Sequence, residues 1–117
     1  MQGKAAHIIM ATLLLLVVSA HAFAQQERKQ AAEALVEKGE YRKAIQIYRS
    51  LLVEYPDDIE RKKRLVLLFG YTGEYDRSIE LSGELLERFP GDADIRFRYA
   101  QVLSWKGDYS ADRKSVV

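Results

Sequence analysis

This sequence predicts an all-α fold of antiparallel helix pairs stacked side by side, and three observations carry that reading. The turn Gly39-Glu40-Tyr41 returns as Gly73-Glu74-Tyr75 and again as Gly107-Asp108-Tyr109, 34 residues later each time. Pro56 and Pro90 keep the same interval, in Glu54-Tyr55-Pro56-Asp57-Asp58 and Arg88-Phe89-Pro90-Gly91-Asp92. Between these breakers the apolar residues recur at helical spacing, and no strand-like alternation of useful length appears. A fixed period of this length marks a stacked-repeat architecture. Its units bury their apolar faces against one another and present an extended surface. The expected divisions are a leader over 1–24, a first repeat over 25–58, a second over 59–92 and an incomplete third over 93–117. The array thus amounts to about two and a half repeats.

The leader comes first. Lys4 is the only charge before Glu27, and Ile8 to Ala20 is nearly continuous apolar sequence. Ala22-Phe23-Ala24 then places small residues where a signal peptidase reads them. A positive start, a short apolar core and a small-x-small site describe a secretory signal peptide, cleaved after Ala24. An uncleaved membrane anchor is the competing reading. The apolar core is shorter than the roughly 18 to 20 residues a spanning helix needs, and Ala-Phe-Ala has no purpose in an anchor. Cleavage is therefore the expectation, with no membrane insertion of the mature domain. The leader resembles bacterial export signals, which makes the periplasm the expected destination. The chain has no cysteine, so there is no lipid-accepting residue after the site and no disulfide.

Helical periodicity begins directly after the cleavage site. Ala31, Ala32, Leu35 and Val36 define an amphipathic helix within Gln26 to Lys38, and Gly39 ends it. Glu40 suits the positive end of the next helix, Tyr41 to Glu54, whose stripe is Ala44, Ile45, Ile47, Tyr48, Leu51 and Leu52. Pro56 stops that helix, and Asp57 or Asp58 caps the one after. Ile59 to Tyr71 turns Leu65, Val66, Leu68 and Phe69 inward. Gly73 makes the turn, and Tyr75 to Arg88 follows with Ile79, Leu81, Leu85 and Leu86. A fifth helix, Ala93 to Lys106, carries Ile95, Tyr99, Val102 and Leu103. Five positions after the turn glycine stand Ala44 and Ser78, small residues that let helices approach. Asp112 takes that place in the third repeat, and Arg113-Lys114-Ser115-Val116-Val117 has no apolar stripe. Residues 110–117 are therefore expected to be frayed or weakly docked.

Composition limits the chemistry. Lys and Arg number 18 against 17 Asp and Glu; losing Lys4 with the leader leaves 17 against 17. A neutral chain has no field with which to capture nucleic acid. Both histidines, His7 and His21, lie in the leader. The mature chain then lacks the commonest general base, the thiolate nucleophile and the usual zinc ligands. Nothing in spacing or turn chemistry activates Ser50 or Ser104 as a nucleophile. No enzyme activity, no cofactor and no metal are expected. Arg61-Lys62-Lys63-Arg64 is the densest basic run. Four consecutive helical residues point in four directions, so it reads as a solvated face with local pairing.

These residues resemble the tetratricopeptide repeat family. The resemblance rests on Gly39, Tyr41, Ala44, Tyr48 and Pro56; on Phe69, Gly73, Tyr75, Ser78 and Pro90; and on Ala100, Gly107 and Tyr109. Ser82, where an aromatic is usual, and Asp112 depart from the pattern. The resemblance implies a superhelix whose concave face is lined by the first helix of each pair, and a role in binding a protein or peptide partner. It places Lys29, Glu33, Lys63, Leu67, Tyr71, Phe97, Gln101 and Trp105 on that face. Lys29 and Lys63 suit a clamp for a partner's terminal carboxylate, but the chain contains no asparagine to complete it. Glu33 and Leu67 stand where that clamp wants one.

Tyr71, Phe97 and Trp105 are the candidate anchors of a peptide interface. The plain alternative is that Phe97 and Trp105 fill space between helices. Residues 99–109 also resemble repeats that precede YaiO-type outer-membrane barrels and those of exopolysaccharide secretion proteins. That resemblance implies a docking segment of an export assembly, with polysaccharide as a lesser candidate ligand of the three aromatics. Self-association through the incomplete third repeat is expected as well, because repeat arrays need polar caps to stay soluble.

Overall fold

Every boundary of the three central helices falls at a local breaker. The structure is a computed structural model that describes the backbone of residues 2–115 and the side chains of residues 3–108. Its helices are α1 (Gln2–Glu37), α2 (Tyr41–Glu54), α3 (Ile59–Tyr71), α4 (Tyr75–Arg88) and α5 (Ala93–Ser115). Gly39 and Gly73 adopt φ of 76° and 78°, the left-handed conformation that glycine enters without a steric penalty. Around them the hydrogen bonds form matching pairs. Gly39 N donates to Val36 O (2.9 Å) and Glu40 N to Leu35 O (2.9 Å), as Gly73 N does to Gly70 O (3.2 Å) and Glu74 N to Phe69 O (2.8 Å). This is the Schellman closure, which satisfies the last carbonyls of α1 and α3.

Tyr55 and Phe89, each preceding a proline, leave the helical region at φ −130° and end α2 and α4. Asp58 caps α3, its Oδ1 accepting from Arg61 N at 3.1 Å; Asp92 accepts likewise from Ile95 N at 3.1 Å.

Each helix packs on the next in sequence, and α5 also reaches α3, so the elements form an array. The main core joins Ala32 of α1 to Ala44, Ile45, Tyr48 and Leu51 of α2 and to Leu65, Leu68 and Phe69 of α3. A second cluster joins Val66, Leu85 and Ile95 of α3, α4 and α5. Full burial of each Leu or Ile contributes about 1.5–3 kcal/mol. Ala44 and Ser78 are both wholly buried. Ser78 Oγ donates to Val66 O at 2.6 Å, and Ser82, also fully buried, donates to Ser78 O at 2.7 Å. Ser82, where an aromatic is usual, is thus a buried hydroxyl with its hydrogen bond satisfied.

Three expectations are corrected. The first helix does not begin near Gln26: α1 runs unbroken from Gln2, because no glycine or proline interrupts the chain between Gly3 and Gly39. The apolar stretch of α1 is wholly exposed, and the helix is long and apolar enough to cross a membrane, its most apolar 18-residue stretch having a mean hydropathy of 2.0. The fifth helix does not end at Lys106. It continues through Gly107-Asp108-Tyr109 to Ser115, so the third copy of the turn motif is helical in its backbone. The side chains expected to be weakly docked, Asp112 among them, lie outside the described residues. Leu103 is 42% exposed rather than inward, since no described residue covers that side of α5.

Candidate functional site

The face formed by α1, α3 and α5 holds two adjoining surfaces of different chemistry. The first is a polar cleft of about 350 Å³ that brings together Lys29, Glu33 and Lys63 with Arg64 and Arg98. Glu33 stands at its centre. It accepts from Tyr48 Oη of α2 and from Arg64 Nη2 of α3, the latter at 2.7 Å. Burial pushes the Glu33 carboxyl up, but the hydrogen bonds from Tyr48 and Arg64 outweigh it and hold the group below its ordinary 4.5. The same contact works oppositely on Tyr48. Burial, then the Glu33 carboxylate, push its phenol up to about 12.

Lys63 is similarly committed. Its Nζ lies 2.9 Å from Asp92, 3.5 Å from Glu60 and 3.9 Å from Asp94, and the Asp92 hydrogen bond is the main reason its pKa is raised. Asp92 is lowered in return by that bond. Lys63 therefore meets a ligand as one half of an ion pair, not as a free cation, which further weakens a carboxylate clamp built on it.

The basic run divides in the same way. Arg61, expected in a solvated face, is only 7% exposed. Its Nη1 pairs with Asp58 at 3.0 Å, and the guanidinium lies 5.6 Å from the centre of the Tyr55 ring. Local pairing holds for this run, but solvation fails for Arg61. One turn of α3 holds Arg61, Lys63 and Arg64 inward because acidic residues meet them: Glu33 of α1, Asp58 of the α2–α3 turn, Asp92 just before α5 and Asp94 within it.

The second surface is aromatic. Tyr71 is 47% exposed; its ring centre lies 5.1 Å from that of Tyr41 and 6.0 Å from that of Trp105. The planes are tilted by 40° and 36°, and both separations fall within the range of about 4.5–7 Å over which aromatic pairs interact. Trp105 lies close over Gly70: a Cβ at that position would come within 2.6 Å of its ring. Gly70 thus lets α5 and the indole approach α3. Along α3, Lys63, Leu67 and Tyr71 recur every fourth residue, so one helical line leads from the ion pairs to the aromatic row. Leu67 and Gln101 are half-buried, and Lys29 is exposed. Phe97 stands apart from this row, 66% exposed on α5.

Sequence reasoning missed several participants. Tyr41 reads as a turn residue, and only the packing of α2 on α3 sets its ring against Tyr71. Tyr48, Arg64 and Asp92 enter the cleft through contacts 15 to 31 residues apart, for which the sequence has no local signal. On the side where α2 and α4 stand apart lies a groove of about 510 Å³ with an apolar floor of Leu65 and Phe69, edged by Leu52, Val53 and Leu81 and by the charged Arg49, Arg77, Glu80 and Glu84. The arrangement offers charge pairs, apolar contact and aromatic faces. These are the means of binding a surface.

Comparison with known proteins agrees. The family model described as tetratricopeptide repeat matches residues 25–68, which cover the last part of α1, all of α2 and most of α3. No curated protein matches the chain. Tetratricopeptide repeats are helical scaffolds that mediate protein–protein interactions. Residues 25–68 are thus similar to a tetratricopeptide repeat, and the helix pairs stacked after them continue the same plan.

Proposed function

We propose that this chain is an exported adaptor of the bacterial cell envelope that binds a peptide or helix along the face of α1, α3 and α5. The observation that carries the reading is the line Lys63–Leu67–Tyr71 on α3. It joins a cleft of fixed charges to an aromatic row that includes a half-exposed tyrosine. The charges of Glu33, Arg64 and Lys63 are already held by partners, so they fix register and polarity without reorganising. Tyr71 and Trp105 supply the apolar contact area, as aromatic anchors do in peptide interfaces. Binding involves no covalent step. Export rests on the apolar leader with Lys4 before it and Ala22-Phe23-Ala24 after it, with Gln25 as the mature N-terminus.

Trp105 is the only tryptophan in the chain, and it sits in the aromatic row, so a bound partner changes its emission directly. A periplasmic extract passed over the immobilised protein is expected to yield a retained partner. Tyr71→Ala combined with Lys63→Ala is expected to abolish retention. Undiminished capture by the double variant rules out this face. N-terminal sequencing of the exported protein is expected to begin at Gln25.

The exposed Tyr71–Trp105 surface also favours a second reading, stacking on a polysaccharide within an export assembly. Its mark is glycan binding that is lost in Trp105→Ala while peptide capture is absent.

A further inference from the structure

Helix α5 has two faces of opposite character. Ile95 and Val102 are 1% exposed and packed toward α3 and α4. On the other side Ala93, Phe97, Ala100, Leu103, Ser104 and Gly107 are all exposed, with Phe97 at 66% and Leu103 at 42%. Their spacing of three and four residues makes them one stripe.

One period earlier the same stripe is occupied. Val66 and Gly70 stand where Ala100 and Ser104 do, and both are buried. Val66 packs with Leu85 and Ile95, and its carbonyl accepts from Ser78 of α4. Gly70 lies beneath Trp105 and Val102 of α5. This position of the repeat is therefore a surface that receives helices. Among the described residues nothing covers it on α5.

We propose that a second copy of this chain covers it, with the two α5 helices packed antiparallel about a twofold axis beside Ala100. A twofold interface must be complementary to itself, and this stripe is. Phe97 and Leu103 flank Ala100 three residues to either side, and Ala93 and Gly107 flank it at seven. An antiparallel partner centred there sets Phe97 of one chain level with Leu103 of the other, and Ala93 level with Gly107. The single methyl of Ala100 lies at the closest approach, where a larger residue would hold the backbones apart.

Arg96, exposed beside the stripe, comes level with Ser104 and not with a second arginine. Head-to-tail stacking on the outer side of α1 fits less well. Along the part of α1 that packs in the array, after Ala24, the exposed residues include Gln26, Glu27, Gln30 and Glu37, which interrupt any apolar stripe. The inference does not depend on the peptide-binding reading, and it gives Phe97 a role in assembly instead of in the groove.

The chain has no cysteine, so an introduced one reports cleanly. The full chain, purified in mild detergent, is expected to show a two-chain mass by light scattering. Under gentle oxidation Ala100→Cys is expected to become mostly disulfide-linked, because the axis brings its two copies together. Glu87→Cys, exposed on α4, is expected to stay at least fivefold less linked. Phe97→Glu is expected to remove the Ala100→Cys cross-link and halve the mass while the helical circular dichroism is unchanged, since its side chain is not in the core. Ala100→Arg is the second disrupting variant. A single-chain mass for the unaltered protein overturns the proposal. So does a dimer that survives both Phe97→Glu and Ala100→Arg, or an Ala100→Cys protein that links no better than Glu87→Cys.

Discussion

Gly39 and Gly107 open the same three-residue motif, yet one ends a helix and the other lies inside one. Gly39, like Gly73, takes a positive φ and closes its helix with a pair of backbone hydrogen bonds; Gly107 stays within α5. The motif is therefore permissive, not sufficient. Reversing the chain exposes the last carbonyls and fixes backbone entropy, which only a docked second helix offsets. After Gly39 and Gly73 come α2 and α4, which bury Ala44 and Leu51 in one case and Ser78 and Leu85 in the other. After Gly107 the sequence places Asp112 at the small-residue position and then Arg113-Lys114. With no apolar face to dock, continuing the helix is the lower-energy course.

The severest way to break this comparison is to make the first repeat like the third. Ala44→Asp sets a carboxylate at a position with no solvent exposure, against α1. An unpaired buried charge of this kind costs about 3 kcal/mol or more. Urea denaturation is expected to find α2 undocked and the helical signal melting at markedly lower denaturant. Wild-type stability in Ala44→Asp would show that Asp112 is not what distinguishes the third turn.

How far the fold was legible divides along the same line. The bounds of α2, α3 and α4 could be read because Gly39, Pro56, Gly73 and Pro90 act locally, through φ and the missing amide hydrogen. The start of α1 and the end of α5 could not. The first meets no breaker on its N-terminal side back to Gly3, and the second has a breaker whose effect depends on the helix face coming after it. The candidate site was legible where it tracks the repeat, at Lys63, Tyr71 and Trp105. It was not legible where it depends on how helices meet. The burial of Arg61, the pairing of Glu33 with Tyr48 and Arg64, and the stacking of Tyr41 on Tyr71 all join residues from different helices.

A smaller effect separates the charged cleft, which ties α1, α2 and α3 together, from the open side of α5. Tyr48→Phe removes the hydroxyl that donates to Glu33 and is expected to cost about 1.5–3 kcal/mol at neutral pH, as hydrogen bonds to charged groups do. The pH dependence has a definite sign. The Tyr48 pKa is raised in the folded protein from 10.0 to about 12, so its contribution is complete below pH 10 and is lost as pH rises toward about 12. Glu33 is lowered from 4.5, so its contribution is present above that value and disappears as pH falls through the lower folded pKa. Melting temperatures across both ranges are expected to show the alkaline loss shrink in Tyr48→Phe and the acid loss shrink in Glu33→Gln. Unchanged pH profiles in both variants would mean that this network does not couple the helices.

The gentlest test is also the most discriminating, because it asks one substitution to act with opposite signs. Replacing Gly39 or Gly73 by alanine forces a side chain into the left-handed region, at a cost of about 1 kcal/mol, although neither site is crowded. Replacing Gly107 by alanine puts the best helix former into a helical position with open space around it, and is expected to stabilise α5 by about 0.5–1 kcal/mol. Denaturation midpoints of the three variants decide the matter. Destabilisation by Gly107→Ala of the same size as at Gly39 would mean that the third motif turns in solution. Opposite signs would establish that the same glycine–acidic–tyrosine motif at the same spacing folds differently because of the helix face that comes after it.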